Sequence, residues 1–66
     1  MYMKCIDANN DTEVSINTDK IDFVADNQDN TITVYFTSGS ELPIKGTIKQ
    51  FTELVNQWYR KTLKDY

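Results

Sequence analysis

Residues 33–51 read TVYFTSGSELPIKGTIKQF, and this stretch decides the fold because the spacing of its apolar residues changes part-way through. Residues 31–37, which overlap the start of this stretch, are all β-branched or aromatic and alternate between two faces, which is typical of a strand. The glycine-centred run 38–40 predicts a tight hairpin onto a further strand, 41–45. Pro43 cannot donate to a ladder, so this strand is predicted to be an edge or to turn the Pro43 nitrogen outward.

From residue 47 the apolar side chains recur every three or four residues, which predicts a helix over about 47–65. Thr47 and Gln50 have the spacing of a capping box. The free amides after Gly46 could instead hold an anion. The spaced glycines and Lys-Ser/Thr pair of a phosphate loop are missing, however, so a turn and a helix cap are favoured.

The rest of the chain predicts more strands, at 2–8, from 13, and at 21–25. Asn- and Asp-rich turns are predicted at 9–12 and 26–30, and a helical turn or bend within 17–21. The predicted fold class is therefore α+β, one domain over 1–66, with an antiparallel meander of three to five strands packed against a C-terminal helix. The alternation does not decide which face of residues 2–8 is buried. The predicted core is Ile16, Ile21, Phe23, Ile32, Val34, Phe36, Leu42, Ile44, Phe51, Leu54, Val55 and Trp58.

The composition argues against catalysis. The 66 residues contain no histidine and one cysteine, so the commonest general base and an internal disulfide are both excluded. Cys5 is predicted to be a small buried hydrophobe. Asp7, Asn9 and Asp11 match the start of a calcium loop, but the glycine and glutamate that should follow are missing. We predict no catalytic residue, no cofactor, no metal and no small-molecule substrate.

The charges are unevenly distributed along a chain whose net charge is −3. Residues 1–44 contain two lysines and eight acids, and residues 45–66 contain five basic residues and two acids. This distribution argues against direct nucleic-acid binding, which needs a basic surface. No apolar run is long enough to insert into a membrane, and MYMKCIDANN does not look like a signal peptide, so a cytoplasmic location is predicted.

The predicted helix is longer than the strands beneath it. At 1.5 Å per residue it would run about 27 Å, whereas a six-residue strand covers about 20 Å. The overhanging turns would expose apolar side chains unless another protein or a second copy of the chain covers them, as in a homodimer. The predicted partner-binding residues are Trp58, Tyr59, Leu63 and Tyr66.

The segments INTDKIDFV, TITVYFTSG and ELPIKGTIKQF together resemble small bacterial flagellar proteins of the FlbD/SwrD type over residues 16–55. The aligned positions are Ile16, Asn17, Ile21, Asp22, Val24, Gly39 and Lys45. The resemblance implies a non-enzymatic role in motility. The chain also resembles, more weakly, the β-strand core of LytTR-type DNA-binding domains, but it lacks the basic loops of that family.

Two functional classes remain. One is a protein-interaction or assembly module of a bacterial or phage cell, acting through the helix end or a strand edge. The other is a small acidic inhibitor or DNA mimic that blocks a basic site on a nucleic-acid-binding protein. The acids that would serve the second class are Asp7, Asp11, Asp19, Asp22, Asp26 and Asp29.

Overall fold

The structure is a computed structural model that describes residues 1–64, with side chains for residues 1–59. Five strands precede one helix: β1 (Tyr2–Asp7), β2 (Thr12–Asn17), β3 (Ile21–Asp26), β4 (Thr31–Phe36), β5 (Glu41–Lys45) and α1 (Ile48–Lys64). The strands form one antiparallel sheet in the order β2-β1-β5-β4-β3. The predicted α+β class, with an antiparallel sheet and a C-terminal helix, is confirmed.

The predicted turns are present and are stabilised by local hydrogen bonds. The Asp7 carboxylate accepts from the Asn9 backbone N–H at 2.8 Å, so the polar run before β2 is an Asx-type turn. A 3₁₀ turn, Thr18–Lys20, joins β2 to β3, and its backbone N–H at Asp19 is capped by Asn17. Gly39, in the β4–β5 hairpin, has a φ of +93°, a conformation that favours glycine.

The sheet is strongly curled. Asn17 ends β2 and Ile21 begins β3, yet these two strands are the opposite edges of the sheet. In a flat sheet the edges would lie about 19 Å apart, whereas four residues span about 14 Å at most. Thr37 N–H also donates to Lys20 C=O at 2.8 Å, which ties the connection to the end of β4. The curling encloses the inward side chains.

Among the side chains of residues 1–59, five apolar ones are buried: Met3, Ile16, Ile32, Val34 and Ile44. Four of them were predicted from alternation, and Met3 settles the open question about residues 2–8. Met3 is fully buried and Asp7 nearly so, whereas Tyr2 is 64% exposed, so the face carrying Met3 is the inner one. Of the remaining predicted core residues, those partly buried against the cluster of Ile32, Val34 and Ile44 are Ile21, Phe36, Leu42 and Phe51.

The prediction that Phe23 is a core residue is wrong. Ile21 pairs with Phe36 and Phe23 with Tyr35, so Asp22 is an extra residue in β3 and forms a β-bulge. The bulge reverses the alternation, and Val24 rather than Phe23 packs against the buried cluster. Phe23 is 54% exposed and stacks on Tyr35, with ring centroids 4.5 Å apart and planes 15° apart.

Of the two alternatives predicted for β5, an edge strand or an outward Pro43 nitrogen, the edge strand is wrong. β5 lies between β1 and β4. The Phe36 N–H donates to Ser40 C=O, so these two residues form a hydrogen-bonded pair. Because hydrogen-bonded and non-hydrogen-bonded pairs alternate along an antiparallel ladder, Pro43 and Thr33 form a non-hydrogen-bonded pair. The ladder with β4 therefore needs no N–H from Pro43. On the other side, β1 and β5 share one bridge, Asp7 with Ile44, so the missing N–H interrupts little of that ladder.

The start of α1 is capped as the sequence predicts. Gln50 N–H donates to Thr47 Oγ1 at 3.1 Å, and Thr47 N–H donates to Gln50 Oε1 at 2.9 Å. This reciprocal pair is a capping box. It also occupies two of the amides that an anion would need, so the phosphate-site alternative finds no support.

Replacing Thr47 by alanine should lower the free energy of unfolding by about 0.5–2 kcal/mol, because the Gln50 amide loses its acceptor. Urea unfolding followed by circular dichroism measures the loss. Thr52→Ala is the matched control, since Thr52 is an exposed residue within the same helix. Equal stability of the two variants would contradict a capping role for Thr47.

Candidate interaction surface

No catalytic constellation forms among the residues that the structure describes. The acids are distributed over several turns and strands, and in residues 1–59 no three metal-ligating side chains come together. The Asp7 carboxylate is used by the first turn, where it also accepts from Asn10 Nδ2 at 3.3 Å. The calcium-like sequence is therefore a structured turn.

An apolar groove lies between α1 and the edge strand β3. Its volume is about 210 Å³, below the ~300–1,000 Å³ of small-molecule sites. A groove of this size fits individual side chains of a larger partner better than a whole ligand. It is lined by Ile21, Phe23, Val24, Phe51, Thr52, Val55 and Asn56.

Each wall of this groove follows from the local sequence. On the helix, Phe51 and Val55 are four residues apart, as are Thr52 and Asn56, so the four share one side of α1. On the sheet, the bulge at Asp22 turns Val24 to the inner face of the edge strand and Phe23 to its outer face. The helical wall could be predicted from the spacing of its residues, but nothing in residues 21–25 (IDFVA) indicates that a bulge will form.

Two of the predicted partner-binding residues, Trp58 and Tyr59, lie on the helical turn after the groove. Tyr59 follows Val55 by one helical turn and is 58% exposed, while Trp58 is half-buried. Leu63 belongs to α1, but its side chain lies outside the described residues, as does Tyr66 altogether. Tyr59 therefore lies one helical turn beyond Val55, a residue that lines the groove.

The acids of the DNA-mimic hypothesis differ in their surroundings. Asp11 pairs with Lys45, and Asp19 lies 2.7 Å from the terminal amine of Met1. Asp26 and Asp29 accept hydrogen bonds within the β3–β4 hairpin, from Gln28 N–H at 2.8 Å and Thr31 N–H at 3.1 Å. Asp22 makes no hydrogen bond or ion pair within the described chain. Of these six acids, Asp22, Asp26 and Asp29 on β3 and its hairpin are exposed and form no ion pair within the described chain.

Burial raises the pKa of the Cys5 thiol, and the nearby Asp7 carboxylate adds a smaller contribution. Because the thiolate is the nucleophile, this environment does not suit an activated cysteine. Because its pKa is raised, the Cys5 thiol is more stable relative to the thiolate in the folded chain than in the unfolded chain. This contribution to stability is complete below about pH 8.5, the ordinary thiol pKa, and is lost as pH rises through the raised folded-state value.

We expect iodoacetamide to alkylate Cys5 more slowly in the folded chain than in the chain unfolded by urea at the same mildly alkaline pH. Mass spectrometry of quenched samples gives both rates. Free cysteine in the two solvents is the control for the effect of urea on the reagent. A faster reaction in the folded protein would show an activated thiol and overturn this interpretation.

Comparison of the chain with protein-family models, with characterised proteins and with solved structures finds no match. The resemblance to FlbD/SwrD-type proteins stays a prediction. Among the described residues, no helix combines the length and hydropathy needed to cross a bilayer.

Proposed function

We propose that this chain is a non-enzymatic protein-interaction or assembly module that acts in a bacterial or phage cell. The observation that carries the proposal is the apolar groove beside an edge strand, flanked by the exposed rings of Phe23 and Tyr59. Contiguous exposed apolar surface of this kind is typical of protein interaction sites. The occupant is another protein or a second copy of the chain.

A role in motility is part of this proposal and depends on the resemblance to FlbD/SwrD-type proteins. Several of the aligned positions serve the fold directly. Asn17 caps the turn before β3, Gly39 has positive φ, and Lys45 pairs with Asp11. The pathway is therefore argued from the resemblance, and the interaction from the groove.

The acidic-inhibitor alternative has weaker support from the surroundings of the acids. Asp7, Asp11 and Asp19 are committed to a turn, an ion pair and the terminal amine. A DNA mimic needs rows of free carboxylates spaced like phosphates. Only the acids along β3 and its hairpin could contribute to such a row.

Site-specific photocrosslinking in the cells that naturally make the protein tests the proposal. The photoreactive residue p-benzoylphenylalanine replaces Tyr59 or Thr52 beside the groove, and Glu13 on β2 as the matched exposed control. We expect one discrete crosslinked protein from the groove positions and none from Glu13. No crosslink at any position, or equal crosslinking from Glu13, would overturn the proposal.

Light scattering of the purified chain then separates the two kinds of occupant. A molar mass of twice 7.7 kDa would identify a second copy, and the monomer mass would identify a different protein. Tyr59→Ala should abolish a dimer formed through the helix end.

A further inference from the structure

The outer edge of β3 carries unused backbone hydrogen-bonding groups. Asn27 N–H donates to Thr31 C=O at 3.1 Å, so this pair is a hydrogen-bonded one. In an antiparallel ladder such pairs alternate, which makes Ala25–Thr33 and Phe23–Tyr35 hydrogen-bonded and Val24–Val34 not. The N–H and C=O of Val24 therefore point away from β4. Within the described chain, nothing else hydrogen-bonds them.

The alternation of hydrogen-bonded and non-hydrogen-bonded pairs also sets the direction of the side chains. The Val24 side chain packs inward with the core cluster and lines the groove opposite Phe51 and Val55. A strand added along β3 would turn every second side chain toward this groove. Backbone pairing and an apolar pocket would then be available to one extended segment, which is the arrangement used in β-strand addition.

The charges of this edge indicate which segment fits. Residues 19–29 contain four aspartates and one lysine, and Asp22 and Asp26 flank Val24 at two residues on either side. Opposite charges facing each other across strands stabilise a pair, and like charges destabilise it. The complementary segment has an apolar residue opposite Val24, a lysine or arginine two residues away opposite Asp26, and a further basic residue on the other side, where the bulge at Asp22 alters the spacing.

A second copy of the chain does not meet this requirement. Antiparallel pairing of two β3 strands centred on Val24 would place Asp22 of one copy opposite Asp26 of the other, twice over. The bulge at Asp22 further disturbs any longer pairing. Acids and bulges are features by which edge strands avoid self-association.

We propose that β3 accepts an extended, basic segment of another protein as a sixth strand, with its central apolar side chain in the groove between β3 and α1. This inference rests on the proposed function, because it names the partner chemistry of the same groove. The recognised pattern is an aliphatic residue with Lys/Arg two residues to one side, opposite Asp26, and a further Lys/Arg on the other side, near Asp22.

Selection from a random decapeptide library displayed on phage, against the immobilised full-length chain, tests the pattern. We expect enrichment of peptides in which an aliphatic residue has Lys/Arg two residues to one side and a further Lys/Arg on the other. Enrichment of acidic or helix-forming sequences, or no enrichment, would overturn the proposal. The most enriched peptide is then synthesised for the measurements below.

Amide hydrogen exchange by NMR locates the peptide. The Val24 amide should exchange rapidly in the free protein and become protected when the peptide is bound, whereas the Phe23 and Ala25 amides, bonded to β4, should be protected in both states. Unchanged exchange at Val24 in the complex would refute strand addition.

Charge-matched variants test the electrostatic part. Asp22→Asn with Asp26→Asn should weaken peptide binding about 2- to 30-fold, as expected for two cross-strand ion pairs. Glu13→Gln with Glu41→Gln removes the same charge from exposed sites elsewhere and should leave the affinity unchanged. Equal effects of the two pairs would contradict the proposal. Crosslinking from Tyr59 without strand addition would leave the proposed function standing and refute only this inference.

Discussion

Met3→Ala should lower the free energy of unfolding by about 2–5 kcal/mol, the range for truncating a fully buried large aliphatic side chain. Met3 lies on the inner face of β1 and pairs with the buried Ile16 of β2. A chain of 66 residues has a total stability of about 3–10 kcal/mol, so this single change is expected to unfold much of the population at room temperature.

Urea unfolding monitored by tryptophan fluorescence and by circular dichroism measures this loss. Two variants are controls. Ile6→Ala changes the outer face of β1, and Phe23→Ala removes an exposed ring. Each should cost about 1 kcal/mol or less, because surface substitutions have small effects and an aromatic pair contributes about 0.5–1.5 kcal/mol. If Phe23→Ala is as destabilising as Met3→Ala, the bulge at Asp22 is misplaced.

The second large effect is expected at Gly46, which joins β5 to α1. Gly46 has a φ of +120°, and its N–H donates to Asn30 C=O at 2.8 Å. A Cβ at this position would lie 3.1 Å from Gln50 Oε1, the atom that caps Thr47 N–H. Gly46→Ala should therefore lower the free energy of unfolding by about 1–3 kcal/mol through backbone strain, and more if the capping box opens.

Gly39→Ala separates the two contributions. Gly39 also has positive φ, but a Cβ there meets no atom within 4 Å, so its substitution reports backbone strain alone. We expect Gly46→Ala to be the more destabilising of the two in urea unfolding. We also expect its first helical turn to lose amide protection in hydrogen exchange. Equal losses without a change in the helix start would contradict the contact with Gln50.

These effects bear on function because Gly46 and the capping box orient α1. The helix supplies one wall of the groove through Phe51 and Val55, and the sheet supplies the other through Val24. A displaced helix start would widen or close the groove without any change in its lining residues. Thr47→Ala and Gly46→Ala should therefore weaken peptide binding as well as stability.

Part of the surface was predictable from sequence and part was not. The spacing of Phe51 and Val55 marks a helical face, and Tyr59 was predicted as a partner-binding residue from its place near the end of the helix. Phe23 was assigned to the core because strict alternation from Ile21 places it inside. One bulged residue reverses that assignment, and a bulge depends on how β3 pairs with β4 rather than on IDFVA itself.

The sequence alone determined the features that depend on neighbouring residues: the class of each element, the Asn- and Gly-centred turns, and the start of α1 at Thr47 and Gln50. The tertiary structure decided the strand order, the inward face of β1 and the position of β5 between β1 and β4. The physical reason is that periodicity and capping arise within a few residues. Which face of a strand is buried depends on partners that are distant in the chain and become neighbours only when the sheet forms.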